Sequence, residues 1–335
     1  MKIIFHILTV TFITLIIASP VSAHVPSFSD EHGGLDSAVD IKNPTKSWVI
    51  YDDLYNSEDV RYYRLELYKG ERLRLVLFSP EQDNLLSMVI MGPGITSEGT
   101  VPEFIETLNG SNSQVVTGER PDSASYEPFT PGSYYYFVDY DEVINVSGTY
   151  FVAVYSSEGG GNFGLAVGYK ETFSLIEWIR VPIDAVKIHM WEGQNPVIIL
   201  SPLIITLIAG LVILVEIKPK GIHLPLKEKW RVIVSMAALM YIGTGFIMLH
   251  QMMRALTIGP AGGTVIVTII FAVIPIFLGY LIFKITLNLK EQLTKVKKLK
   301  LFVYAILGLF LWSGLILGPI LVAIVSFLPA KKIVT

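Results

Sequence analysis

The sequence predicts an all-β extracytoplasmic sandwich or jelly roll, followed by an α-helical bundle that spans the membrane four times. Three observations predict this class: a short apolar segment opens the chain, residues 24–171 alternate apolar and polar side chains, and residues 196–335 contain four long apolar segments. Charge changes at the same boundary. Residues 24–171 carry 23 acidic and 9 basic side chains, whereas the chain from residue 172 onward carries 6 acidic and 16 basic ones. The two parts are therefore expected to be separate domains.

Residues 1–23 have the three parts of a secretory signal peptide. Lys2 supplies the positive charge, ILTVTFITLII is an apolar core too short to be a good membrane span, and VSA places small residues at the cleavage site. We expect cleavage after Ala23, which makes His24 the mature N-terminus. An uncleaved N-terminal anchor is the alternative. Because the chain has no cysteine, the exported domain is expected to be held by its hydrophobic core without disulfides.

The exported domain, residues 24–171, shows the two-residue period of β-strands. In RYYRLELYKGERLRLVLF, Leu65 and Leu67 alternate with charged residues before a KGE turn, and Leu73 and Leu75 resume the alternation after it. The segment TYFVAVYSSEGGGNFGLAVGY repeats this arrangement around a glycine-rich turn. Each segment predicts a β-hairpin with one buried face. Short strands, turn clusters and no convincing helix favour an antiparallel sandwich or jelly roll.

These two segments carry a resemblance to a known family. DVRYYRLELYKGERLRLVLFSP and SGTYFVAVYSSEGGGNFGLAVGY resemble the pre-peptidase C-terminal (PPC) domain over residues 46–169. The resemblance implies a secreted β-sandwich that acts as a ligand-binding or targeting accessory and is not itself catalytic. No attached peptidase accompanies it here. The order of signal, sandwich, WEGQ segment and spans also resembles archaeal multi-pass membrane proteins, a resemblance that implies no activity.

An insert at residues 92–136 is rich in Gly, Pro, Ser and Thr and is too long for an ordinary connection. Two interpretations stay open: a ligand-binding loop on a rigid sandwich, or a variable, disordered loop. Asn109-Gly-Ser within the insert and Asn145-Val-Ser beyond it match the N-glycosylation acceptor pattern. An exported domain makes both Asn109 and Asn145 candidate glycosylation sites.

Residues 172–195 predict an amphipathic juxtamembrane collar. Apolar side chains recur near helical spacing with charged residues between them. Trp178 and Trp191 suit the headgroup layer of the outer leaflet, and Pro182 is expected to kink or divide the helix. A second interpretation, that this stretch covers another face of the soluble core, stays open.

The transmembrane domain, residues 196–335, contains four segments long and apolar enough to cross the hydrocarbon layer: residues 196–217, 230–253, 262–284 and 301–328. The loops at 218–231 and 284–300 hold eleven Lys and Arg side chains, whereas the connection between the second and third spans holds only Arg254. The positive-inside rule therefore places both basic loops in the cytoplasm and residues 24–195 outside the plasma membrane. The Lys331–Lys332 tail would then also lie outside.

Nothing in the four spans indicates an ion or substrate pathway. Transporters place ionisable groups at membrane depth, and these spans contain no Asp, Glu, Lys or Arg near their centres. A transporter role is therefore expected only as an accessory subunit, with the polar pathway supplied by a partner chain. Gly314 and Gly318 have the spacing that permits close helix packing.

Two sets of residues are candidate metal ligands. Asp139, Asp141 and Glu142 form the densest acidic group, and their spacing suits oxygen ligation of calcium, although an EF-hand glycine turn and distal Glu are missing. A solvated acidic loop is the alternative. The second set consists of the outward-facing histidines with neighbouring methionines: His24, His32, His189, His250, Met252 and Met253.

Imidazole and thioether ligands together favour copper, and an N-terminal histidine binds through both its amine and its ring. His24 after signal cleavage resembles the N-terminal histidine of copper-brace proteins, such as copper-resistance proteins and the B subunit of membrane-bound methane and ammonia monooxygenases. Only His24 carries that resemblance. The alternative is that these histidines are interfacial and that the methionines fill gaps in the bundle.

No nucleophile motif, phosphate loop or HExxH motif is present. We therefore expect a non-catalytic, membrane-anchored binding or interaction module that recognises an envelope component, a glycan or a membrane partner. Copper binding through His24 is the alternative function, and an accessory subunit of a transporter is the third. The expected partners are the lipid bilayer and a membrane complex or envelope ligand, with no nucleic acid and no cofactor other than copper.

Overall fold

A computed structural model describes residues 24–29, 33–108, 110–216, 229–287 and 293–327 of the chain. The predicted signal peptide lies outside these residues. The N-terminal part is built from β-strands, which in chain order are β1 (Val25–Phe28), β2 (Val39–Ile41), β3 (Trp48–Leu54), β4 (Val60–Leu67), β5 (Arg72–Ser79), β6 (Leu86–Gly92), β7 (Asn112–Val116), β8 (Ser125–Glu127), β9 (Gly132–Val143), β10 (Gly148–Ser156) and β11 (Gly161–Val167).

The strands form two sheets packed face to face. The first sheet has the order β1-β3-β11-β5-β9-β8, and the second has the order β2-β4-β10-β6-β7. Most pairs are antiparallel, but β1 pairs with β3 and β2 with β4 in parallel. Aliphatic and aromatic side chains from both sheets, including Tyr63, Leu75, Val152 and Phe163, fill the space between them and are fully buried. The predicted β-sandwich is confirmed.

The two predicted hairpins are wrong. Strand β4 belongs to the second sheet and β5 to the first, and the same division separates β10 from β11. Each turn therefore carries the chain from one sheet to the other. Leu65 on β4 and Leu75 on β5 face the common core from opposite sides, so their alternation with polar residues is the same as in a hairpin.

The insert at residues 92–136 has a structural role along much of its length. In its first half, Ile105 packs with Leu35 and Tyr62 on the outer face of the second sheet. The Leu35 N–H donates to the Glu106 carboxylate at 2.9 Å, which holds this part of the insert against the sheet. Strand β7 then extends the second sheet beside β6. The second half of the insert, through β8 to the start of β9, reaches the helical part of the protein.

The C-terminal part is helical. In chain order the helices are α1 (Leu175–Trp191), α2 (Pro196–Glu216), α3 (Lys229–Ala255), α4 (Val265–Leu287), α5 (Lys295–Phe310) and α6 (Leu317–Phe327). Three stretches within α2, α3 and α4 are long and apolar enough to cross a membrane: Pro196–Leu214, Trp230–Ala255 and Val265–Thr286. The chain is therefore a membrane protein with a β-rich N-terminal domain.

Helix α1 occupies the predicted collar. A capping box starts it, because the Ser174 hydroxyl accepts from the Glu177 N–H and the Glu177 carboxylate accepts from the Ser174 N–H. Pro182 does not divide the helix, which continues to Trp191. One face packs Ile188 against the outer face of the first sheet, while another face exposes a stripe of apolar residues: Leu175, Ile176, Ile179 and Ile183.

Glycines allow the long helices to approach one another closely. A Cβ added at Gly243 of α3 would lie 2.9 Å from the Leu203 Cα of α2, and one added at Gly279 of α4 would lie 2.6 Å from the Ala238 carbonyl oxygen of α3. Neither backbone has room for a larger side chain at these points. Close approach through small residues is the usual way in which membrane helices pack.

The predicted fourth span, residues 301–328, is not one continuous helix. Phe302 of α5 and Phe327 of α6 are in ring contact with centroids 5.3 Å apart, so α6 runs back along α5. The two helices form a hairpin packed against Tyr241 of α3, which is fully buried. The hairpin returns the chain to the end of the bundle at which α5 begins.

The reversal between α5 and α6 is held by tertiary contacts. Trp312 Nε1 donates to the Trp178 carbonyl of α1 at 2.9 Å, and the two indole rings lie 4.3 Å apart. The Gly314 N–H donates to Thr244 Oγ1 of α3 at 3.0 Å. These contacts hold a left-handed backbone at three non-glycine residues, Trp312, Leu315 and Ile316. Such a conformation costs about 1–3 kcal/mol per residue.

Candidate binding site at the domain junction

The β-sandwich rests directly on the ends of α3 and α4. Ser133 Oγ donates to the Ala255 carbonyl at 2.9 Å, and Thr268 Oγ1 donates to the Pro128 carbonyl at 2.7 Å. Tyr126 of β8 packs among apolar residues of α3, and its hydroxyl lies 2.7 Å from Thr268 Oγ1. The β8–β9 connection therefore docks the sandwich on the helices through both apolar and hydrogen-bonded contacts.

A reciprocal amide pair lies at the centre of this junction. Gln194, after the end of α1, donates to Gln251 Oε1 at 2.9 Å, and Gln251 of α3 donates to Gln194 Oε1 at 3.0 Å. The two residues are only 7% and 1% exposed. Buried amides are stable only when they are hydrogen-bonded, so the pair ties α1 to α3 specifically.

Glu192 extends the amide pair into a polar network. Its carboxylate accepts from Gln194 Nε2 at 2.9 Å, lies 2.9 Å from His189 Nδ1, and accepts from the Tyr134 hydroxyl of β9. Burial, together with the neighbouring Glu192 carboxylate, raises the pKa of Tyr134 well above its ordinary value, so the phenol remains a donor. The network joins the sandwich, the collar helix and α3.

A cavity of about 100 Å³, here called the junction cavity, lies beside the network. Its wall is mostly apolar and comes from the β8–β9 connection, α1, α2, α3, α4 and the α5–α6 reversal. The lining residues that bear on its chemistry are Phe129, Ala185, His189, Ile247, Gln251 and Trp312. One water needs roughly 10–15 Å³ on this scale, so the cavity has room for several waters or a short stretch of hydrocarbon chain.

A second cavity of about 100 Å³, the polar cleft, adjoins the first and shares Pro131 and Gln251 with it. Its polar lining residues are Glu81, Ser133, Glu192, Gln194, Gln251 and Arg254. Glu81 and Glu192 outnumber the single guanidinium of Arg254, so the cleft has no excess of positive charge. The junction thus places a mostly apolar cavity next to a polar one.

Sequence reasoning missed Tyr134, Glu192, Gln194 and Gln251. A signal was present in the two glutamines, because each lies beside or within an apolar helix, where an unpaired amide is unfavourable. Ionisable groups at membrane depth are the usual sequence sign of a site, and amides carry no charge. Tyr134 gave no signal, because tyrosines are ordinary residues of sandwich strands.

The structure gives the candidate copper ligands separate surroundings. His24 is largely buried, with Nδ1 2.5 Å from Ser47 Oγ. Burial first, and then the charge of Arg74, lowers the pKa of His24 to about 4. His32 lies outside the described residues.

The remaining histidine and methionine candidates have different surroundings. His189 belongs to the polar network through Glu192, and His250 Nδ1 has no hydrogen-bond partner among the described residues. Met252 packs against Tyr126 in the junction, whereas Met253 is exposed. Within the part of the chain that the structure describes, no three His, Asp or Glu side chains are grouped closely enough to hold a metal ion.

The candidate calcium ligands lie on β9, and two of them form ion pairs with arginines of β5. Asp139 forms an ion pair with Arg74, and Asp141 forms one with Arg72, both across the β5–β9 pair. Glu142 lies on the opposite face of the strand, because side chains alternate along it. The calcium prediction therefore rests on three carboxylates that the sheet separates.

The structure describes one of the two candidate glycosylation sites. Asn145 is exposed in the turn between β9 and β10, while Asn109 lies outside the described residues. Modification of either residue stays a prediction.

Comparison with known proteins adds no family to these observations. No protein-family model matches the chain, and a search of curated proteins gives no significant match. The class that the fold and the junction define is a membrane protein with a β-sandwich docked on its helices. The PPC-like resemblance stays a prediction.

Proposed function

We propose that the protein is a membrane-anchored extracytoplasmic binding module whose ligand site is the junction cavity. The ligand would be a molecule with a hydrocarbon chain that enters from the outer leaflet, and the protein would hold it without a chemical step. The observation that carries this proposal is the mostly apolar cavity assembled from the sandwich, the collar helix and the bundle together.

The charge distribution supports the orientation. Basic residues before α3 and before α5 favour a cytoplasmic location for those helix ends, which places the opposite ends of α3 and α4, with the docked sandwich, outside. The α5–α6 hairpin is compatible with this orientation, because it brings Phe327 back to the level of Phe302 near the basic start of α5.

The wall of the junction cavity also supports a binding role over simple anchoring. Trp312 and Leu315 line it while holding left-handed backbone, which is unfavourable for both residues. An anchor needs neither a broken helix nor a cavity, since a filled interface packs more stably. Backbone strain beside a cavity is typical of functional sites.

The test is to fill the cavity and measure whether a lipid chain still reaches it. Full-length protein is placed in bilayer nanodiscs with brominated acyl chains, which quench tryptophan fluorescence on contact. Comparison with Trp312→Phe isolates the signal of Trp312 on the cavity wall. Ala185→Phe adds a ring to the cavity, while Ala209→Phe adds the same ring to the exposed surface of α2.

We expect strong quenching of Trp312 in the parent and in Ala209→Phe. In Ala185→Phe we expect that quenching to fall by at least about half, because the ring takes the space of the chain. An unquenched Trp312 in the parent, or equal quenching in all three proteins, would refute the proposal.

A further inference from the structure

We infer that the ligand is an amphiphile with an uncharged, hydroxyl-bearing headgroup, such as a glycerol or a single sugar, and that this headgroup lies in the polar cleft. The inference rests on the proposed function, because it places the hydrocarbon chain in the junction cavity. It adds a second site, a direction for the ligand and a chemical class for its head.

Adjacency of the two cavities gives the ligand its direction. Gln251 and Pro131 belong to both walls, so a molecule can extend from one cavity into the other. The shared Gln251 amide is already satisfied by Gln194, so the boundary does not require a polar partner from the ligand. A chain on the apolar side and a polar group on the other side match the two linings.

The charges of the polar cleft select the headgroup. Two carboxylates, Glu81 and Glu192, and one guanidinium, Arg254, line the cleft, so a phosphate or carboxylate head would find no excess of positive charge there. A cationic head is also disfavoured, because Glu192 already accepts from Gln194 and Tyr134 and lies beside His189. Its charge is thus largely satisfied within the protein.

Hydroxyl groups fit the donors and acceptors that remain. A hydroxyl both donates and accepts, so it can donate to Glu81 and accept from Arg254 within one site. Among the described residues, no ion pair occupies the Arg254 guanidinium. The size of the cleft, about 100 Å³, suits one small polar unit and not an oligosaccharide.

The experiment compares three single-chain probes with the same dodecyl chain and different heads: glucoside, phosphate and trimethylammonium. Binding to the full-length protein in a detergent without hydroxyl groups is counted by native mass spectrometry. We expect the glucoside to bind about tenfold more tightly than either charged probe, which is the effect of one or two net hydrogen bonds.

Ile258→Trp blocks the cleft from its partly exposed rim, and Ile266→Trp is the matched control on the exposed surface of α4. We expect the first variant to lose the head preference while Trp312 remains quenched by brominated chains, and the second to keep both properties. Equal binding of the three probes with intact Trp312 quenching would overturn the headgroup inference alone. Tighter binding of the phosphate or the ammonium probe would overturn it as well. Loss of all probe binding together with an unquenched Trp312 would overturn the proposed function too.

Discussion

The Gln194–Gln251 pair offers a sharp test of how the sandwich is held on the helices. Replacing Gln251 with Leu keeps the side-chain size but leaves Gln194 Oε1 without its donor, while Gln194 Nε2 still reaches Glu192. Replacing Gln194 with Leu leaves both amide groups of Gln251 unpaired and removes one donor from Glu192. Gln194→Leu should therefore be the more damaging single change.

The expected magnitudes follow from the number of buried groups left unpaired. One unsatisfied buried acceptor costs about 1–3 kcal/mol, so Gln251→Leu should lower the free energy of unfolding by that amount and Gln194→Leu by roughly twice as much. The double variant leaves no unpaired amide at the junction. Its destabilisation should fall short of the sum of the single effects by about 3 kcal/mol or more, because none of the three unpaired amide groups remains.

The assay is reversible unfolding of the full-length protein by dodecyl sulfate in mixed micelles, followed by tryptophan fluorescence. Because the chain has no cysteine, spin labels can also be placed at exposed Tyr68 in the sandwich and Ile205 in α2 to measure the distance between the domains. The control is Ser235→Ala, which removes a buried hydroxyl pair with Thr286 inside the bundle. It should lower stability without broadening the interdomain distance.

Additive effects of the two leucine substitutions would refute this reasoning. Additivity would mean that the two residues stabilise the protein independently, which is incompatible with two hydrogen bonds between them. An unchanged interdomain distance in Gln194→Leu would also contradict the assigned role of the pair in docking.

Two further predictions concern pH and chain topology. Burial raises the pKa of Glu127 in β8 from 4.5 to about 7, so the folded state binds this proton more tightly than the unfolded state. Its contribution to stability is present below pH 4.5 and is lost as the pH rises to 7, by roughly 3 kcal/mol. The unfolding midpoint should fall between pH 5 and pH 8 by less in Glu127→Gln than in the parent. An equal fall in both proteins would contradict the raised pKa of Glu127. The parent is compared with Glu127→Gln because His24 gives stability an opposite dependence on pH. Its pKa is lowered, so its contribution to stability is lost as the pH falls from 6.5 toward 4. For the α5–α6 hairpin, single cysteines at Lys295 and Phe327 should react with an impermeant thiol reagent from the same side of the membrane, whereas a continuous span would place them on opposite sides.

Some of this architecture follows from local patterns in the sequence. Hydropathy predicts the long helices α2, α3 and α4 because crossing a hydrocarbon layer requires about twenty apolar residues in succession. Alternation predicts the sandwich strands, since a strand with one buried face must repeat every two residues. Residues such as Phe163 and Leu165 carry that pattern within one strand and need no knowledge of their partners.

The partners of these elements depend on contacts that are distant in sequence. Leu65 and Leu75 show the same alternation whether β4 and β5 pair in a hairpin or face each other across the core, so only the assembled sandwich separates the two arrangements. The reversal at Trp312 is likewise invisible in an apolar segment, because bonds to Trp178 and Thr244 on other helices hold it.

The candidate site depends on contacts distant in sequence more than any other feature of the protein. The sequence by itself determined which segments form the sandwich and which three form long apolar helices, because periodicity and hydropathy are properties of neighbouring residues. The tertiary structure alone decided that Tyr134, Glu192, Gln194 and Gln251 meet beside two cavities, since β9, the segment after α1 and helix α3 supply them from distant parts of the chain. A buried polar network is a property of the packed molecule, because its groups become stable only when distant partners satisfy them.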